Sequence, residues 1–179
     1  MPLTFTFFND DALLGGGAHV YVGHLKEQGT EPLAYRIKVK RREFWLYDGQ
    51  PKDHGRRELL HGLFDGALGF YGPTGEIRGY NTVTDFGPSG FFGHKFKFVD
   101  GHTGCKYKWK TDIIGFYWEL KDPAKQVIAS FDCHKFQLSR QGRLTIHKEN
   151  IPEHLMALIL LTHKMVHNFV KYKKHQRSN

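Results

Sequence analysis

Apolar and polar residues alternate in short segments along most of the chain, from Leu3 to about Lys148. Side chains of a β-strand point alternately to its two faces, so this period of two is typical of strands with one buried face. Turn-forming pairs such as Asp48-Gly49 and Asp122-Pro123 separate the segments at hairpin spacing. The pattern therefore predicts about eleven to thirteen antiparallel strands.

Nine of these segments are well defined, and several more strands are expected between Arg57 and Tyr80. No segment with a helical period separates them, so the strands are not expected to form βαβ units. The nine segments are Leu3–Phe8, His19–Val22, Leu33–Lys40, Phe44–Tyr47, Lys95–Val99, Cys105–Lys110, Gly115–Leu120, Gln126–Phe131 and Arg143–His147.

The pattern changes at Pro152, a residue suited to the first turn of a helix. Good helix formers without an interior Gly or Pro then continue to about Lys174. Between Leu155 and Leu161 the residues are apolar on every side, so protein must surround this half of the helix. The apolar run is much shorter than the roughly 18 residues of a membrane span, so we expect no transmembrane segment.

The strands and the helix together predict a mainly β fold. We expect a single domain over residues 1–179, in which a closed antiparallel barrel of about twelve strands surrounds a C-terminal hydrophobic helix at about 152–174. Closing the sheet removes its edges, and the helix supplies apolar side chains to fill the barrel.

Composition agrees with a globular protein, since 15% of the 179 residues are aromatic and the formal net charge is +8. A chain of this size buries enough surface to fold without disulfides or a structural metal. The segment from Met1 to Asp10 has neither the basic start nor the apolar run of a secretory signal. Cys105 and Cys133 lie outside any CxxC motif and are expected to be unpaired and largely buried. We therefore expect a cytoplasmic protein.

Four stretches of the second half carry a resemblance to a known superfamily. They are Gly104–Lys110 (GCKYKWK), Trp118–Leu120, Arg143–His147 and the apolar helix from Glu153 onward. The sequence resembles the tubby C-terminal-like superfamily, which includes tubby domains, phospholipid scramblases and LURP-one-related proteins, and in particular the tubby-like domain proteins of mushroom-forming fungi. The resemblance covers Phe92–Lys174 and implies about twelve strands around a central helix. It implies binding rather than catalysis, and no catalytic residue follows from it.

The sequence contains no common catalytic motif, since GxSxG, HExxH, Walker A and dinucleotide-binding sequences are all missing. His163 and His167 are four residues apart, so they share one helix face and could both reach a metal ion, but no third ligand can be named. We therefore expect the protein to have no enzymatic activity and to bind no metal ion. The two histidines are expected on a polar stripe where the helix leaves the barrel.

Lysine and arginine alternate with aromatic or aliphatic residues on three of the predicted strands. Strand geometry places the cations on the solvent face and the rings toward the helix. This face is either a solvated surface that discourages edge pairing or, as tubby domains imply by resemblance, a site for phosphoinositide head groups or an acidic membrane surface. Nucleic acid is the weaker alternative, because single strands stack on exposed rings. The candidate anion-binding residues are Lys38, Lys40, Lys106, Lys108 and Lys110.

The segment Leu63–Gly93 is rich in glycine and contains seven aromatic rings. It forms either hairpin turns with ordinary core aromatics or a pocket, at a barrel end or between loops, for a small aromatic molecule. We favour a bound small aromatic ligand, such as the pigment of a chromoprotein, over acidic lipid. Trp109 and Trp118 are expected to pack against the helix or to form the deeper wall of the pocket. The candidate ligand-binding residues are Phe70, Tyr71, Tyr80, Phe91, Phe92, Trp109 and Trp118.

Overall fold

A computed structural model describes residues 2–10, 16–29, 31–49, 55–65, 74–90, 94–112, 117–133 and 140–177. These residues contain twelve β-strands followed by one α-helix. The strands are β1 Leu3–Asn9, β2 Ala18–Val22, β3 Leu33–Lys40, β4 Glu43–Asp48, β5 Glu58–Asp65, β6 Thr74–Gly79, β7 Thr82–Pro88, β8 Lys95–Val99, β9 Lys106–Thr111, β10 Tyr117–Lys121, β11 Val127–Cys133 and β12 Arg140–Ile146. The helix α1 is Glu153–Arg177.

The twelve strands form one closed antiparallel barrel in chain order. Each strand pairs with the next, and β1 completes the ring by pairing with β12, where Leu3 lies opposite Ile146. The predicted barrel of about twelve strands is thus confirmed. The strand β7 lies after Tyr80, outside the interval in which additional strands were expected. The sequence does not show it clearly, because polar Thr84 faces inward and Gly87-Pro88, a turn-type pair, ends the strand.

The segment Leu63–Gly93 contains the end of β5 and all of β6 and β7. Phe64 and Phe86 of this segment are buried in the core, with ring centroids 5.8 Å apart. Tyr80 and Asn81 connect β6 to β7 and have φ angles of 48° and 59°, as in a two-residue type I′ hairpin. In its described part, the segment therefore forms a hairpin turn and core aromatics.

The helix α1 lies inside the barrel, because its side chains are buried continuously from Leu155 to Val166. It contacts strands on different sides of the ring. The Nε1 of Trp109 on β9 donates a hydrogen bond to Thr162 Oγ1 at 2.9 Å, and Phe7 on β1, four strands away, meets His163 at 4.7 Å between ring centroids. The central helix is confirmed, and it ends at Arg177 rather than at about Lys174.

The expectation that His163 and His167 lie on a polar stripe where the helix leaves the barrel is wrong for His163. Its side chain is fully buried, with ring centroids of Phe131 and Phe7 at 4.0 Å and 4.7 Å. The physical reason is that the enclosed part of the helix extends beyond the apolar run, as far as Phe169. Burial, together with the charge of the neighbouring lysine, lowers the pKa of His163 well below its ordinary value, so the imidazole is neutral.

Lys164 is also fully buried inside the barrel. Its Nζ donates a hydrogen bond to the amide oxygen Oε1 of Gln141 at 2.9 Å. Burial is the main cause that lowers the pKa of Lys164 to about 7; the positive charge of Lys171 lowers it further and the negative charge of Asp10 opposes the shift. The protein therefore holds a lysine whose charged form is strongly disfavoured by its surroundings.

Neither Cys105 nor Cys133 takes part in a disulfide bond. Both are partly buried and pack against the hydrophobic core. In the part of the chain that the structure describes, no helix combines the length and the apolar character needed to cross a lipid bilayer.

Candidate anion-binding site

Lysines on three neighbouring strands face one another across the outer surface of the barrel. Lys97 of β8 lies opposite Lys108 of β9, and Lys108 in turn lies opposite Lys121 of β10. The three residues form a row of like charges that runs across the strands. Neighbouring strands lie about 5 Å apart, so each lysine in the row starts close to the next one.

A second row lies two residues further along the same strands. Lys95 of β8 faces Lys110 of β9, and Lys110 faces Glu119 of β10. Alternate residues of one strand are about 7 Å apart and share a face, so the two rows form a compact grid in which Glu119 is the one anion among lysines. The alternation within each strand places its outward residues on one face, and the pairing register sets these residues opposite those of the next strand.

All the lysines of the two rows except Lys97 line a groove of about 480 Å³ that also includes the hairpin between β10 and β11. Six of its ten lining residues are lysines, and one is a carboxylate. We call this surface the lysine groove. Its lining residues are Ser89, Lys95, Lys106, Lys108, Trp109, Lys110, Lys121, Asp122, Pro123 and Lys125.

The groove contains little negative charge to balance these lysines. The carboxylate of Asp122 accepts a hydrogen bond from the backbone N of Gln126 at 3.0 Å and so holds the hairpin turn in shape. Lys121 Nζ lies 3.5 Å from Glu119 Oε2, and this is the one ion pair of a groove lysine found within the described ranges. The groove is therefore strongly positive.

The aromatic residues of the same strands point into the barrel. Phe96, Phe98 and Trp109 are fully buried, and Tyr107 is nearly so. The predicted orientation, rings toward the helix and lysines toward solvent, is confirmed for β8 and β9. Consequently, these rings are not available at the surface for a nucleic-acid base to stack on.

The structure divides the five predicted anion-binding residues into two groups. Lys106, Lys108 and Lys110 lie on β9 in the lysine groove. Lys38 and Lys40 lie on β3, six strands away from β9 in either direction around the ring, and therefore on the opposite side of the barrel. The Nζ of Lys38 lies 5.6 Å from the ring centroid of Trp45 and so has a different environment.

The predicted anion-binding residues did not include three lysines of the groove, Lys95 on β8 and, beyond β9, Lys121 and Lys125. Lys121 directly follows a predicted strand, and Lys125 lies in the next turn, at a φ angle of 65°. Their contribution depends on the pairing of β9 with β10, which the pattern of a single strand does not contain. The turn signal at Asp122-Pro123 was the available evidence that both belong to a hairpin next to β9.

Of the residues predicted to bind an aromatic ligand, Phe70, Tyr71, Phe91 and Phe92 lie outside the described residues. Trp109 and Trp118 are fully buried in the core, near the middle of the helix. Tyr80 lies near the start of the helix instead, where its hydroxyl donates a hydrogen bond to Glu153 Oε1 at 3.0 Å. Partial burial and this bond to a carboxylate raise the pKa of Tyr80 to about 12.

Tyr80 is therefore not in one pocket with the two tryptophans. Tyr80 is hydrogen-bonded to Glu153 and Trp109 to Thr162. These two helix residues are nine positions apart, which corresponds to about 13 Å along the helix axis. Among the described residues, no three histidine, cysteine, aspartate or glutamate side chains are placed to hold a metal ion together.

No family model, curated protein or solved structure matches this chain. What is known of the site comes from the geometry of the barrel and the lysine groove.

Proposed function

We propose that this chain is a non-enzymatic binding protein whose lysine groove binds acidic phospholipid head groups at a membrane surface. The observation that carries the proposal is the row Lys97, Lys108 and Lys121. Like charges directly opposite each other destabilise a sheet, so a surface needed only for solubility gains nothing from this arrangement. Several negative charges bound in the groove would offset the repulsion.

The size of the grid suits phosphate groups that are close together. Two rows about 7 Å apart, on strands about 5 Å apart, offer cations to one head group with several phosphates or to neighbouring head groups of a membrane. Lipid is favoured over single-stranded nucleic acid because the rings of β8 and β9 are buried. The cytoplasmic leaflet of a cell membrane carries the required negative charge, in keeping with the predicted cytoplasmic location.

Membership of the tubby C-terminal-like superfamily stays a prediction, as does a pigment-type ligand held by the predicted ring residues. The architecture supports the first, since twelve antiparallel strands close around a C-terminal helix. The lysine groove is an independent argument for binding to an acidic surface, because it uses only residues of this chain.

Replacing Lys108 by glutamate is expected to weaken binding to acidic vesicles by about 30-fold, since each lysine near such a surface contributes about 1 kcal/mol and the change reverses one charge. Lys108 lies at the centre of the row, with a lysine on both sides. The measurement is co-sedimentation with phosphatidylcholine vesicles that contain phosphatidylserine or a phosphoinositide. Binding of the unmodified protein is expected to fall steeply as salt is raised toward about 1 M, where the screening length is about 3 Å.

Lys38→Glu is the matched control, because Lys38 is an exposed strand lysine on the opposite side of the barrel. We expect this variant to bind vesicles as well as the unmodified protein does. Equal loss of binding in the two variants would mean that net charge, and not the groove, determines binding. Absence of binding in low salt, or tighter binding to a single-stranded oligonucleotide than to acidic vesicles, would overturn the proposal.

A further inference from the structure

A second cavity opens at the end of the barrel where helix α1 begins. Its volume is about 990 Å³, at the upper end of the range for small-molecule pockets, which is roughly 300–1,000 Å³. We call it the barrel-end cleft. It is lined by residues of β1, β2, β3, β4, β5, the β4–β5 connection and the start of α1, and its apolar residues include Leu3, Phe5, Val22, Leu33, Leu59 and Met156. The lysine groove lies on other strands and shares none of these residues.

Apolar side chains in this cleft remain accessible to solvent. Val22 is 49% exposed and Leu3 is 39% exposed, and both line the concave surface. A single exposed valine on a convex surface needs no explanation, but apolar residues gathered in a concavity are typical of a ligand site. Leu59 and Phe5 extend this surface inward, since both are buried and also line the cleft.

The four charged residues that line the cleft, Asp48, Arg56, Arg57 and Glu153, have a formal charge of zero in total. Arg57 lies 3.3 Å from the carboxylate of Glu153 and 3.9 Å from that of Asp48. The hydroxyl of Tyr80 donates to the same oxygen of Glu153. A charged ligand would have to compete with these partners, whereas an uncharged one leaves them in place.

The walls of the cleft are held in position by packing. The ring of Tyr35 meets Phe5 edge to face at 6.1 Å between centroids. Gly49 lies so close to β3 that a Cβ at this position would be 1.7 Å from the carbonyl oxygen of Leu33. The cleft is thus formed before any ligand binds, as is usual for small-molecule sites.

We propose that the barrel-end cleft binds an uncharged, largely apolar small molecule. Its apolar part would cover Leu3 and Val22, and a hydrogen-bonding group at one end would reach the polar side of the cleft at Arg57 and Glu153. This site is separate from the acidic-lipid site proposed above, and the two can be tested independently.

The experiment uses two fluorescent probes with the same ring system. N-phenyl-1-naphthylamine is uncharged, and 8-anilinonaphthalene-1-sulfonate adds one negative charge to it. We expect saturable binding of the uncharged probe, with an affinity that changes less than about twofold between low and high salt, since its binding depends on apolar contact. Val22→Trp, which fills the cleft, is expected to weaken binding by about tenfold or more.

Val83→Trp is the matched control, because Val83 is a similarly exposed strand valine, at 52%, on β7. It is expected to bind the probe as the unmodified protein does, and so is Lys108→Glu of the lysine groove. Circular dichroism checks that each variant is folded, and Leu3→Gln serves as a second cleft variant. Unsaturable probe binding, unchanged binding in Val22→Trp and Leu3→Gln, or salt-sensitive preference for the sulfonate would overturn the proposal.

Discussion

Replacing Leu161 by aspartate is expected to prevent the barrel from folding. Leu161 lies in the first half of α1 and is fully buried. The substitution removes about 1.5–3 kcal/mol of apolar burial and adds the desolvation of an unpaired carboxylate, which costs several kcal/mol more. A domain of this size has a total stability of only about 5–15 kcal/mol. The measurement is the yield of soluble protein and its cooperative thermal unfolding, followed by circular dichroism.

Val83→Asp is the control for this prediction, because Val83 is also apolar but is 52% exposed, on β7. Its effect on the free energy of unfolding is expected to stay within about 1 kcal/mol. Leu158→Asp, one turn before Leu161 and almost fully buried, is expected to behave like Leu161→Asp. A soluble Leu161→Asp protein with an unchanged unfolding temperature would be incompatible with a helix inside the barrel.

Replacing Lys164 by methionine is expected to stabilise the protein at neutral pH. The fall of the lysine pKa from 10.5 to about 7 corresponds to roughly 5 kcal/mol of disfavoured charge. Methionine fills a similar volume without that charge, but it leaves Gln141 Oε1 without its hydrogen bond, which costs about 1–3 kcal/mol. The expected net gain is about 2–4 kcal/mol, measured as the free energy of unfolding in urea.

The stabilisation by methionine is expected to depend on pH in a defined direction. Between about pH 7 and pH 10.5 the unfolded state of the unmodified protein binds more protons at Lys164 than the folded state does, so its stability rises with pH. Below about pH 7 the full cost is present. The advantage of Lys164→Met should therefore be largest near pH 6 and decrease toward pH 10. Urea unfolding at several pH values measures this change.

The buried His163 is expected to make the stability of both the unmodified protein and Lys164→Met depend on pH in the acid range. Its pKa is lowered by burial, so stability is lost as pH falls below about 6.5. Lys26→Met, at an exposed position between β2 and β3, is the control and is expected to change stability by less than about 0.5 kcal/mol. An advantage of Lys164→Met that does not vary with pH would show that the lysine is not held neutral in the folded protein.

The overall fold could be predicted because its determinants are local. The alternation in Lys95–Val99 requires a strand with one buried face, and the apolar run at Leu155–Leu161 requires a helix that is buried on all sides. Both requirements follow from the local sequence alone. The extent of the enclosed helix was harder to predict. His163 and Lys164 are polar residues of the kind found in solvent-exposed segments, and their burial becomes evident only when the barrel around them is known.

The lysine groove could be predicted only in part. The sequence assigns Lys106, Lys108 and Lys110 to one strand face, and the structure agrees. Their alignment with Lys97 and Lys121 is set by the register of two hairpins, and a shift of one residue would have turned each lysine to the other face. The separation of Lys38 from this group likewise follows from the order of strands around the ring.

The pairing of β1 with β12 affects how the chain can fold while it is being made. A ribosome releases β1 long before β12, and α1, which fills the barrel, follows all the strands. Until then, β1 has an unpaired edge, and the inward rings of Phe5 and Phe7 have no helix to pack against. A nascent chain that ends before Glu153 therefore exposes apolar surface and a strand edge, both of which favour aggregation, and the barrel can be filled only after α1 has been synthesised.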